Sequence, residues 1–158
     1  MHRNTFTDDQ QRVDRWLRAL GQKAGLPLAL DAQGVCAVGH ASGLACAVEV
    51  GAGEVFFRVP LMDWEPGHSA SLAEFCLGEH FLGLATSGAS FAIDRDEAEL
   101  VLWRSMPLVV LDEASFAAAL MDLLEAASHW REQLQGVLHR SLAPSGATSP
   151  ASLSSGLA

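Results

Sequence analysis

Residues 28–60 read LALDAQGVCAVGHASGLACAVEVGAGEVFFRVP, and this stretch decides the fold. It contains the short apolar runs LAL, VCAV, ACAVEV and EVFFRV, which are separated by the breaks DAQG, GHASG and GAGE. Short runs rich in Val and Phe with glycine-containing breaks are typical of an antiparallel meander with tight connections. The pattern predicts three strands in this part of the chain.

The last of these runs shows which side chains face outward. Val55, Phe57 and Val59 alternate with Phe56 and Arg58 along it. Successive side chains of a strand point to opposite faces of a sheet. We therefore expect Phe56 to lie beside Arg58 on the outer face of the sheet.

A helix is predicted before the meander, over residues 7–24. Thr7 and Gln10 form a capping box at its start, and Gly25 with Pro27 supplies a stop at its end. The apolar residues with helical spacing in this segment are Val13, Trp16, Leu17, Leu20 and Ala24.

A second helix is predicted after the meander, near Ser71, where Ser71 and Glu74 form another capping box. One stripe of this helix carries Leu72, Phe75, Cys76 and Glu79, and a second stripe carries Leu77, Phe81 and Leu84. A helix that is apolar on more than one side needs two packing partners.

Two strands and a long helix complete the predicted order. The strands are SFAID and ELVLWRS, joined by a charged turn at residues 95–97, and the helix begins after Asp112 as its N-cap. The fold class is therefore α+β: a helix, a three-stranded antiparallel meander, a helix, two strands and a long C-terminal helix, arranged as a two-layer sandwich. We expect a single domain over residues 1–140 and a disordered tail, rich in Ser, Ala, Gly and Pro, over residues 141–158.

Composition limits the classes of partner. The 158 residues include 10 Lys and Arg against 19 Asp and Glu, for a formal net charge of -9. An acidic surface of this kind repels nucleic-acid phosphates and anionic lipid. The N-terminus lacks the pattern of a secretory signal, and no run of 18 apolar residues occurs, so we expect a cytoplasmic protein without membrane insertion.

Candidate catalytic and metal-binding patterns are weak. Cys76 and His80 have the i, i+4 spacing of two metal ligands with Glu79 between them, but no second pair completes a site. The acidic residues around Asp94 and Glu99 are more typical of a charged hairpin connection than of a cation site. We expect no catalytic residues, no metal, no cofactor and no enzymatic activity.

Two stretches of this sequence are similar to one known family. The opening VDRWLRALGQKAGL with LALDAQGVCAV, and the long segment from SLAEFCLGEHF to HWREQL, resemble the class I chaperones of bacterial type III secretion, the Tir-chaperone family. The resemblance covers about residues 7–138 and its pattern is hydrophobic. It implies a homodimer without ATPase activity that binds the extended N-terminal region of a secreted effector and keeps it soluble for export.

The resemblance also implies site residues. It places the partner-binding grooves near the first helix and the following segment, at Val13, Trp16, Leu17, Leu20, Leu28, Leu30 and Phe56. It places the dimer interface on the second helix and later strands, where the candidates are Leu72, Phe75, Cys76 and Trp103. An alternative reading is a regulatory or adaptor module of similar fold that binds a folded partner outside secretion.

Overall fold

The structure is a computed structural model that describes residues 6–142, apart from the side chains of residues 68, 69 and 142. A five-stranded antiparallel sheet forms one layer, with strand order β1-β2-β3-β5-β4. The strands are β1 (Val35–Gly39), β2 (Ala45–Gly51), β3 (Glu54–Asp63), β4 (Ser90–Asp94) and β5 (Glu99–Pro107). The three-stranded meander and the later strand pair are thus confirmed, and β1 and β4 form the two edges.

Three helices form the second layer: α1 (Asp8–Ala24), α2 (Ser69–Glu79) and α3 (Glu113–Leu142). α3 packs over the middle strands, α1 contacts both β2 and α3, and α2 contacts α3. The predicted α+β two-layer order is confirmed. No helix of residues 6–142 is both long and apolar enough to cross a membrane.

The ends of α1 follow the local sequence signals. The Thr7 hydroxyl accepts the backbone N–H of Gln10, and the Gln10 side chain accepts the backbone N–H of Thr7, which completes the predicted capping box. Gly25 closes the helix with a φ of 70°, a left-handed conformation that glycine adopts at little cost.

The predicted bounds of the other two helices need correction. α2 begins at Ser69, so Ser71 and Glu74 lie inside the helix and do not form its cap. α3 begins after Asp112 as predicted, with the Asp112 carboxylate accepting the Ser115 backbone N–H at 2.8 Å. It runs to Leu142, so the first two residues of the predicted tail are helical. The rest of that tail lies outside the described residues.

The core lies between the sheet and the helices. Val55, Phe57 and Val59 on the inner face of β3 are fully buried, whereas Phe56 and Arg58 are half-buried on the outer face, as the alternation predicted. The Phe57 ring packs against Phe116 of α3, with ring centroids 5.6 Å apart. The helices therefore cover one face of the sheet, and the face that carries Phe56 has no helix among the described residues packed on it.

Candidate functional site

The residues predicted to bind a partner around α1 are divided between core and surface. Val13 and Leu17 are fully buried, and Leu28 and Leu30 are also buried. The half-buried members are Trp16 and Leu20, which pack against the edge of the core. Side chains with no exposed surface cannot contact a partner directly, so the contact surface here is smaller than the predicted set.

Trp16 is the largest accessible apolar side chain of α1. Its ring lies against Phe116, with centroids 5.4 Å apart, and the Arg12 guanidinium lies over it at 5.7 Å. A cation over an indole ring is attracted to the π-electrons of its face. Arg12 therefore covers part of the ring that an apolar partner residue would use.

A buried carboxylate fixes the chain that follows α1. Asp14 is only 9% exposed, and its two oxygens accept the Leu30 backbone N–H at 2.9 Å and the Arg18 Nε–H at 2.6 Å. The ion pair with Arg18 and the hydrogen bond from Leu30 together compensate the cost of burying the Asp14 charge. This anchor holds residues 28–30 against α1, which explains why Leu28 and Leu30 belong to the core.

A small cavity opens next to this anchor, between the end of α1 and the segment after it. Its volume is about 250 Å³, and its lining residues are Arg18, Gln22, Leu26, Pro27, Leu28 and Ala29. Leu26 has 48% of its surface exposed there. Nothing in the helical spacing of α1 indicated Leu26, because it lies beyond the C-cap.

The second helix carries its apolar residues on two sides, as its sequence indicated. Leu72 and Cys76 are buried in the core, and Phe75 packs edge-on against Trp130 of α3 at 6.1 Å. Three of the four residues predicted for a dimer interface thus contact the interior of the same chain. A charge at Phe75 would disturb this internal packing as well as any contact between two chains.

Of the second predicted stripe only Leu77 lies on α2, because the helix ends at Glu79, which corrects the prediction. Phe81 and Leu84 lie in and directly after the 3-10 turn that follows (Phe81–Gly83), and all three side chains are at the surface. Leu77 and Phe81 each have 74% of their surface exposed. Their neighbours in the 3-10 turn after α2 and on β4 extend this apolar area, which we call the exposed α2 surface: Leu77, Phe81, Leu82, Leu84 and Ile93. The sequence signal for it was the second stripe of the helix. An apolar cavity of about 300 Å³ beside it reaches Trp64, His80 and Phe91.

The outer face of the sheet brings together two residues that the sequence assigned to different surfaces. Phe56 of β3 and Trp103 of β5 line one cavity of about 320 Å³, together with Val101, Ala92 and Glu49. We call this cavity the outer groove. Trp103 has 37% of its surface exposed, whereas Val101 is buried at the bottom of the groove.

Arg58 forms a charged cluster beside the outer groove. One of its terminal nitrogens lies 2.8 Å from both Asp94 and Glu99, which links β3 to β4 and β5. Hydrogen bonds from the backbone N–H groups of Glu97 and Asp96, together with the charge of Arg58, lower the pKa of Asp94. The carboxylates of Asp94 and Glu99 therefore stabilise the hairpin turn and tie neighbouring strands of the sheet together.

The cysteines lie in environments that suppress thiol reactivity. Cys36, Cys46 and Cys76 are free and buried. Burial raises the pKa of Cys46 to about 12 and that of Cys76 to about 11. Within residues 6–142, no group of three or more His, Cys, Asp or Glu side chains could hold a metal ion.

Comparison with known proteins gives the class. Residues 15–131 match the model of the Tir chaperone protein (CesT) family, which is most of the chain. The protein is therefore of the type III secretion chaperone class. It belongs to the Tir chaperone protein (CesT) family, as the resemblance in its sequence indicated. No curated protein sequence matches the chain significantly.

Solved structures share the fold at low sequence identity. The ExsC–ExsE complex matches with a TM-score of 0.65 and 22% identity, over 81% of this chain and 97% of that one. The HopA1–SchA chaperone–effector complex matches with a TM-score of 0.63 and 17% identity, over 81% of this chain and 99% of that one. The heterodimeric ExoU–SpcU complex from the type III secretion system of Pseudomonas aeruginosa matches with a TM-score of 0.58 and 21% identity, over 79% of this chain and 96% of that one.

The same fold occurs in a protein with a different description. YbjN from E. coli, a candidate transcription regulator, matches with a TM-score of 0.57 and 16% identity, over 78% of this chain and 90% of that one. The fold alone therefore does not distinguish a chaperone from a regulator, and the family match carries that distinction.

Proposed function

We propose that this protein is a cytoplasmic, homodimeric chaperone that binds the extended N-terminal region of a type III secreted effector. It keeps that region soluble and ready for export without using ATP. The observation that carries the proposal is the exposed α2 surface in a chain of the Tir chaperone family. Contiguous apolar area on a small domain is typical of a surface that binds another polypeptide.

The exposed α2 surface is the proposed contact between two copies. α2 uses Leu72 and Cys76 to pack inside its own chain, whereas Leu77 of α2 and Phe81 of the turn after it are not covered by any of residues 6–142. A two-fold contact would place Phe81 of one copy against the same surface of the other. The proposed interface thus shifts from the predicted residues Leu72, Phe75 and Cys76 to the exposed side of the same helix.

The proposed client surface lies around α1 and the segment after it. Trp16, Leu20 and Leu26 offer accessible apolar side chains there. The edge strand β1 follows this segment, and beyond Val35, whose N–H and C=O both bond to Asp31, its edge offers an extended client strand a place to pair. An extended client would gain main-chain hydrogen bonds at the edge and apolar contacts beside α1.

Light-scattering mass of the purified chain, alone and co-expressed with the N-terminal region of any candidate secreted protein encoded nearby, tests the proposal. We expect a dimer that keeps this region in solution. Phe81→Asp should halve the mass while the far-UV circular dichroism stays unchanged, because Phe81 is mostly exposed. Val110→Asp is the matched control, since Val110 is 68% exposed on the 3-10 turn before α3, and it should remain dimeric.

The opposite outcomes separate the two readings. A monomer that leaves the client region insoluble would contradict the chaperone proposal and favour a regulatory or adaptor module. If the Phe81→Asp variant remained a dimer, the assignment of the interface to the exposed α2 surface would be wrong, and the chaperone proposal would still stand.

A further inference from the structure

The outer groove is a second apolar surface, distant from α1 in the fold because it lies on the helix-free face of the sheet. Phe56 and Trp103 lie on the neighbouring strands β3 and β5, with Phe56 paired to Ser105 and Arg58 paired to Trp103. The two aromatic side chains are therefore diagonal neighbours on one face. At about 320 Å³ the groove lies at the low end of the range for ligand pockets and has room for one or two large side chains.

The net charge around the groove is negative. Arg58 is the cation among the lining residues, and it already contacts Asp94 and Glu99 at 2.8 Å. Glu49 is exposed on β2, directly opposite Phe56 in the strand pairing, and forms no ion pair with any residue of 6–142. Asp94 and Glu99 carry two negative charges against the one positive charge of Arg58, and Glu49 adds a third negative charge. The rim of the groove is therefore negative.

This combination selects among possible occupants. A negative rim repels nucleic-acid phosphates and anionic lipid headgroups. A second copy packed symmetrically through this face would bring Glu49 and the Asp94 cluster of each copy near their equivalents, which is unfavourable. A polypeptide segment that carries Lys or Arg beside a large apolar side chain fits both the walls and the rim.

We propose that the outer groove binds a second segment of the client, in which a large apolar residue lies between Phe56 and Trp103 and a neighbouring Lys or Arg pairs with Glu49. This inference rests on the proposed function, since it assumes a polypeptide client. It adds a contact on the face of the sheet opposite to the helices. One client would then touch both faces of the sheet.

The test compares binding of the labelled N-terminal region of a candidate secreted protein encoded nearby to five forms of the full chain: the wild type, two groove variants, a charge control and Leu26→Asp. Glu49→Lys reverses the rim charge, and Trp103→Ala removes one wall. Glu125→Lys is the matched control, because Glu125 is exposed on α3 and the change in net charge is the same. We expect Glu49→Lys to weaken binding about tenfold, mainly through lost charge pairing, and Glu125→Lys to change it less than about twofold.

A cross-link locates the segment. A photoreactive amino acid at position 103 should join the client within a few residues of a Lys or Arg, as mass spectrometry of the digested product would show. A cross-link to a second copy of this chain, or a loss of dimer mass in Trp103→Ala with retained circular dichroism, would overturn the proposal and make the groove a self-association surface.

The remaining outcomes separate this inference from the proposed function. If Glu49→Lys and Glu125→Lys weakened client binding equally, the effect of charge would be nonspecific and the inference that the groove binds the client would be wrong. Client binding that survives both groove variants but is lost in Leu26→Asp would also overturn the groove, while supporting the surface at α1. A wild-type chain that binds no client region would contradict the proposed function itself, and the groove inference with it.

Discussion

The two short helices use their apolar residues in different ways. α1 is apolar on one side, and its central residues Val13 and Leu17 are fully buried against the core. α2 is apolar on two sides, and only the side with Leu72 and Cys76 is buried. The one-sided helix buries its central residues in its own chain and leaves only flanking ones, such as Trp16, half-buried, whereas the two-sided helix leaves a whole apolar side that a second molecule can cover.

The strongest test of this comparison truncates one leucine on each helix. Leu17→Ala should lower the free energy of unfolding by about 3 kcal/mol, because it leaves a cavity in the core. This loss should be the same at every protein concentration. Leu77→Ala should cost little in dilute solution, and its effect should grow as the concentration rises if the exposed α2 surface forms the proposed dimer, because such a dimer would stabilise the wild type by mass action.

Urea unfolding at a low and a high protein concentration measures both effects. If Leu17→Ala and Leu77→Ala lost equal stability at all concentrations, the exposed stripe would have an internal role and the comparison would fail.

The thiol of Cys76 reports how firmly α2 packs on its buried side. Burial raises its pKa from 9.0 to about 11, so between these values the unfolded chain loses this proton and the folded chain keeps it. Stability should therefore fall as the pH rises from 9 toward 11, with a share from this thiol of up to about 1.4 kcal/mol per pH unit.

The measurement is the slope of the unfolding free energy against pH over this range. Cys76→Ala should have a shallower slope than the wild type, whatever its absolute stability. Identical slopes would mean that the thiol is not buried in the folded protein, and that α2 is loosely attached.

The helix starts provide a third test. Thr7→Ala should cost about 1 kcal/mol, because it removes the acceptor for the Gln10 backbone N–H. Ser71→Ala is the control within α2 and should change stability by less than about 0.5 kcal/mol, because Ser71 is exposed inside the helix. A loss at Ser71 as large as at Thr7 would indicate that α2 begins where the sequence predicted.

The smallest effect is expected for the ion pair between α1 and α3. Lys23 and Glu113 lie 3.0 Å apart, and both side chains are largely solvent-exposed. A double-mutant cycle with Lys23→Ala and Glu113→Ala should give a coupling of about 0.2–1 kcal/mol that decreases with added salt. A larger, salt-independent coupling would show that α1 is held to α3 by more than the packing of Trp16.

Local signals predicted most of the fold, because they act within a few residues. The capping box at Thr7, the stop at Gly25 and the alternation along β3 each fix their element without help from distant parts of the chain. The predicted start of α2 was wrong, because the residues at 71 and 74 have the types of a capping box but the helix already begins at Ser69.

The site was harder to predict because it depends on pairing between distant segments. Which stripe of α2 stays exposed is decided by its contact with α3, where Phe75 meets Trp130. Phe56 and Trp103 share a groove only because β5 pairs with β3, from which it is separated along the chain by α2 and β4. No short-range pattern contains that information.

The hydrogen bond between Asp14 and residue 30 has a consequence for how this protein can vary. The carboxylate binds the main chain at that position, and the side chain of Leu30 takes no part in the bond. Any residue except proline can offer the same N–H. The path of the segment after α1 can thus be kept while its exposed side chains at positions 26 and 27 are exchanged, so residues of different size and polarity can be presented there from an unchanged frame.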